Sequence, residues 1–133
     1  MKSIVLLAIC ASLAPAATLD ECREDKRRGR LAEAKTCWLS LTQSRDAALQ
    51  GDAFWAIGDY NTANDKFRSA VAVKPKDAAV RVRWGRMFFE RGQRKDAAAL
   101  YEEALAIETD FPPALIGMAY LASSGFEIGR AHV

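Results

Sequence analysis

Small and aromatic residues recur along this chain at intervals of three and four, and the same set returns 34 residues later. Tyr60, Ala63, Phe67, Ala70 and Val71 fall on one helical face, because one helical turn takes about 3.6 residues. Ala97, Tyr101, Ala104 and Leu105 repeat that face. At the same offset Gly51 matches Gly85, Phe54 matches Phe88 and Gly58 matches Gly92. Each unit reads as two helices. Gly58 and Gly92 suit the tight turn between them. Lys74-Pro75 ends the first unit and Phe111-Pro112-Pro113 the second, because proline cannot continue a helix.

The alternation of small and large residues predicts how the helices meet. Gly51, Gly85, Ala63 and Ala97 allow close approach, and Phe54, Phe67, Phe88 and Tyr101 fill the gaps between helices. One helix pair cannot bury its apolar face alone, so pairs must stack.

This pattern resembles the tetratricopeptide repeat (TPR) family, whose unit is 34 residues long. The family's glycine, aromatic, alanine, aromatic, alanine and proline of the second helix are met by Gly58, Tyr60, Ala63, Phe67, Ala70 and Pro75. The second unit offers Gly92, Ala97, Tyr101 and Ala104, and departs at Arg94 and Thr109. The resemblance is close over about residues 44–111. It implies an all-α fold, a right-handed superhelical stack of antiparallel helix pairs (a TPR-like α-solenoid). Repeats are expected at 44–77 and 78–111, with a partial repeat at 112–127. Residues 18–43 read as an atypical N-terminal helical hairpin, in which Gly29, Leu31, Ala34, Trp38 and Leu41 keep the second-helix spacing.

The two ends carry other signals. Lys2, the apolar run Ile4 to Leu13 and the small residues of Ala14-Pro15-Ala16 read as a signal peptide over residues 1–17. The alternative is a membrane anchor, but the uncharged stretch is shorter than the ~20 residues a spanning helix needs. The chain is therefore expected to be exported, periplasmic or secreted, with no integral membrane span after cleavage. The tail over residues 128–133 resembles a translated sequencing-library adapter and reads as a sequence artefact; the alternative is a genuine short C-terminus. A stack ending near Glu127 is expected to leave Leu115, Met118 and Leu121 uncovered.

Chemistry adds little. The formal net charge is +2. The Arg23 to Arg30 run interleaves two acids and reads as a solvated helix face, not a nucleic-acid stripe. Cys22 and Cys37 lie seven residues before and eight after Gly29. In an exported chain folded back at Gly29-Arg30 they are expected to pair as a disulfide, with two buried free thiols as the alternative. The sole histidine, His132, lies in the suspect tail. No catalytic constellation, metal site or cofactor motif is expected, and Glu102-Glu103 point apart on a helix. The chain is not expected to be an enzyme.

In the TPR family the first helix of each unit lines a concave groove. The resemblance therefore implies groove residues Arg45, Ala48, Asp52, Trp55, Ala79, Val82, Arg86, Phe89, Ile116 and Tyr120. Trp55 and Phe89 occupy equivalent positions and read either as binding anchors or as packing between repeats. The family's clamp for a C-terminal carboxylate needs basic and asparagine residues where Ala48, Asp52 and Ala79 stand. The expected function is a protein–protein interaction scaffold holding a protein or peptide partner. The alternative is the N-terminal TPR region of a longer exported enzyme, such as a metallopeptidase.

Overall fold

The computed structural model describes residues 16–126. These form seven α-helices and no strand. They are α1 (Leu19–Arg27), α2 (Leu31–Leu41), α3 (Ala47–Ala56), α4 (Tyr60–Val73), α5 (Ala78–Glu90), α6 (Arg94–Ile107) and α7 (Pro112–Ser123). The signal-peptide reading falls on residues 1–17, and all but Ala16 and Ala17 of these lie outside the described residues, as does the tail 128–133. No helix among the described residues is long and apolar enough to cross a membrane.

Helix starts follow from capping chemistry. Asp46, Asp59 and Asp77 each accept from backbone N–H groups of the turn they open, at α3, α4 and α5. Thr18 and Glu21 form a reciprocal capping box at α1. Pro112 and Pro113 sit at the first positions of α7. Gly58 and Gly92 hold φ of 88° and 75° in the α3–α4 and α5–α6 turns, a region that side-chain-bearing residues avoid.

Consecutive helices pair as α1/α2, α3/α4 and α5/α6, and the pairs stack in order, with α7 lying against both α5 and α6. Phe67 and Tyr101 are buried at equivalent places in successive pairs. The ring of Phe67 lies against Gly51, and that of Tyr101 fills the space between Gly85 and Gly117. Around them Ala63, Ala70, Val80 and Met87 form one core, and Ala97, Ala98 and Leu121 continue it. A separate cluster of Cys22, Ala34, Trp38, Leu41 and Ala53 joins the first hairpin to α3. Cys22 and Cys37 are disulfide-bonded across α1 and α2, with Cα atoms 5.3 Å apart.

The expected uncovered face of α7 needs correction. Leu121 is fully buried against the Tyr101 core, and Met118 packs there with Phe89 and Phe126. The residues left open are Leu115, Ile116 and Tyr120. The reason is rotational: α7 leans on α5 as well as α6, which turns the Leu121 side inward.

Candidate functional site

The first helices of successive pairs, α1, α3 and α5, enclose a cleft of about 560 Å³. Asp52, Trp55 and Ala56 of α3 form its middle, and Arg86 and Glu90 of α5 one wall. The opposite wall comes from α1, which contributes Asp20, Arg23, Lys26 and Arg27. Trp38 and Tyr60 close the margins from α2 and α4.

The floor of this cleft is a buried charge. Asp52 is only 2% exposed. Arg83 Nη2 approaches Oδ2 at 2.7 Å, and Arg23 Nη2 lies 3.9 Å from Oδ1. Among the described residues neither carboxylate oxygen has a hydrogen-bond partner of good geometry, and neither does Arg83 Nε. Burial pushes the Asp52 carboxyl above its ordinary 3.8, against the opposing pull of Arg83 and Arg23. Asp52 thus ties α1, α3 and α5 together through charge, with Oδ2 held by the Arg83 guanidinium and Oδ1 3.9 Å from Arg23.

The rim carries more cations than anions. Arg86 pairs with Glu90 at 3.4 Å, and Arg27 pairs with Glu24 within its own helix. Arg23 also lies 3.9 Å from the exposed Asp20. Next to the cleft, Arg91 sits 4.2 Å over the ring of Tyr60, a cation–π contact that adds a further positive charge.

The structure sorts the expected groove residues. It brings Asp52, Trp55 and Arg86 into one cleft, with Trp55 half-buried against the core of α3 to α5 and Arg86 exposed. Asp52 lies buried at the floor of the cleft, because α1 and α5 converge on it. Phe89 joins a different cluster, half-buried, its ring centroid 6.4 Å from that of Tyr120. Ile116 and Tyr120 are exposed on α7. Arg45 is exposed just before the α3 cap and does not line the cleft. Ala48 is buried in the core, Ala79 is exposed and Val82 is half-buried between core clusters.

Sequence reasoning missed Arg23, Lys26 and Arg27. Their spacing of three and four places them on one face of α1, which is the signal that reveals them. Among the described residues no group of three or more His, Cys, Asp or Glu is placed to hold a metal ion.

No family model matches the chain. No curated protein matches it either. Among solved structures, the crystal structure of MamA, a TPR-like protein, matches with a TM-score of 0.55 and 18% sequence identity. The match covers 80% of this chain and 66% of MamA's. At that identity the likeness shows the fold alone. Together with seven helices and no strands among the described residues, it defines an all-α, TPR-like solenoid.

Proposed function

We propose that this protein is an interaction scaffold that holds a protein or peptide partner along the face formed by α1, α3 and α5. The observation that carries this reading is the cleft on that face, where half-buried Trp55 lies beside exposed Arg86 above a buried Asp52. Aromatic and arginine side chains in partly desolvated clefts supply much of the energy at protein interfaces. The TPR-like fold supports the reading, since the first helices of such units form a shared surface across the stack.

The proposal extends to location. The apolar run Ile4 to Leu13 behind Lys2 supports export to the periplasm or beyond, and a disulfide suits that oxidising setting.

Cross-linking mass spectrometry in a cell-envelope extract tests the scaffold reading. Cross-links are expected to concentrate on α1, α3 and α5. Arg86→Glu, at an exposed position, should reduce them several-fold while leaving the helical dichroism spectrum unchanged. Cross-links spread over α2, α4 and α6 instead, or untouched by Arg86→Glu, would sink the proposal.

A further inference from the structure

We propose that α1 is a redox-released flap. The Cys22–Cys37 bond keeps it in place as one wall of the cleft, and a dithiol that reduces this bond lets it leave while α2 to α7 stay folded. The flap regulates the face proposed for a partner and rests on that reading for its use, whereas the movement itself is tested without a partner.

The first observation is how little besides the bond holds α1. It has 9 residues, and all but Leu19 and Cys22 are charged. Cys22 is its single buried residue. Isolated helices shorter than about 12 residues are marginal in water. The ion pairs of Arg27 and Arg28 with Glu24 lie within the helix and its cap, and exposed pairs of this kind add little. α1 packs on α2, and Leu19 adds a half-buried contact to the cluster of Cys22, Trp38 and Ala53.

The second observation is that the rest of the stack has its own support. α2 buries Ala34, Trp38 and Leu41, and it packs on α3 as well as on α1. Gln50 of α3 donates to the carbonyl of Thr42, the residue that caps α2, at 3.0 Å. Asp52 keeps Arg83 at 2.7 Å when Arg23, 3.9 Å away, departs, so no buried charge is stranded. On leaving, α1 removes the wall of Asp20, Arg23, Lys26 and Arg27 from the cleft, and it uncovers Trp38 and Ala53.

The third observation is access. Cys22 is fully buried, whereas Cys37 is half-buried and lines an open hollow with Ala32, Thr36 and Ser40. A thiolate of the dithiol therefore attacks Sγ of Cys37, and Cys22 Sγ leaves as a thiolate and takes up a proton. The second thiolate of the reductant then attacks the reductant's own sulfur in the mixed disulfide, which frees Cys37 as a thiol. The reductant ends as a disulfide, and the two cysteines hold the two electrons and two protons as thiols.

Limited trypsin digestion of the whole chain tests this, with fragments read by mass spectrometry after full reduction. The oxidised chain, the chain in dithiothreitol and the Cys22→Ala, Cys37→Ala chain are compared. Cleavage after Arg23 should speed up by about tenfold or more in the reduced chain and in the double variant, since it then reports an undocked helix. Cleavage after Arg68 in α4 and Arg81 in α5 should not change. Reoxidation should return Arg23 to its slow rate. The flap is overturned if Arg23 is cut equally fast in all three chains, or if Arg68 and Arg81 accelerate as much as Arg23. It is also overturned if dithiothreitol leaves the bond intact until denaturant is added, or if reoxidation does not restore the slow rate. None of these outcomes bears on the scaffold reading, which stands or falls on where cross-links map.

Discussion

A Cβ placed on Gly85 would lie 2.8 Å from the ring of Tyr101, closer than real side-chain contacts come. The ring of Tyr101 also blocks a Cβ on Gly117, at 2.6 Å, so one aromatic is enclosed by glycines of α5 and α7. Gly51 and Phe67 repeat the first contact one unit earlier, again at 2.8 Å. The matched offset in sequence is thus a matched contact in space.

Gly85→Ala should destabilise the fold by about 1–3 kcal/mol, the usual range for overpacking a filled core. In an exposed helix the same change would stabilise by up to about 1 kcal/mol, because alanine favours helix over glycine. The sign separates the two cases, and urea unfolding followed by far-ultraviolet dichroism reads it. A stabilised Gly85→Ala variant would remove the close contact from the account.

Tyr101 also sets an alkaline limit. Burial pushes its phenol up to about 12 from the ordinary 10.0. The unfolded chain releases this proton near its ordinary value, whereas the folded chain holds it to the raised one. The contribution to stability is therefore complete below pH 10 and is lost between pH 10 and about 12. The slope is at most about 1.4 kcal/mol per pH unit. Tyr101→Phe, the residue type that Phe67 already provides in the preceding pair, should flatten that segment of the stability profile. An unchanged profile would show that Tyr101 ionises as freely in the fold as in the unfolded chain.

The Asp52–Arg83 pair predicts an asymmetry. Arg83→Met leaves Asp52 buried without its nearest counter-charge and should cost about 3–5 kcal/mol at neutral pH. Asp52→Asn should cost less, because the Arg83 side chain is 26% exposed and can turn toward water. The carboxyl of Asp52 is raised in the fold, so its protonation favours the folded state as pH falls through that raised value. Wild type should therefore gain stability relative to Asp52→Asn on acidification, and the Arg83→Met deficit should shrink. Chemical denaturation of all three chains at neutral and mildly acidic pH measures this. A deficit that is independent of pH would remove Asp52 as its cause.

Reducing the bond between Cys22 and Cys37 reopens a loop with a sequence separation of 15 residues. The chain-entropy model puts the stabilisation at about 3 kcal/mol. Hydrogen exchange with and without reductant should show faster exchange in α1 and α2 and little change in α5 and α6. That pattern is expected because each pair of a stacked array contacts only its neighbours. Uniform loss across all helices would instead indicate a single cooperative unit.

Much of this was legible in the residues. The 34-residue offset, the glycine turns and the division into small residues that allow close approach and aromatics that fill the gaps follow from helical periodicity, because three- and four-residue spacing fixes which side chains share a face; that Phe67 meets Gly51 and Tyr101 meets Gly85 came from the packing. The placement of Cys22 and Cys37 about Gly29 follows from the same local geometry, since a chain that reverses there brings equal distances side by side. The site was legible only in part. The sequence marked Asp52, Trp55 and Arg86, but it could not tell that Asp52 is buried or that Arg23, Lys26 and Arg27 face it. Nor could it tell that Leu121 turns inward while Leu115 and Tyr120 turn out. Periodicity within one helix defines faces, whereas the rotation and tilt with which successive pairs stack decide what each face meets, and those depend on contacts distant in sequence.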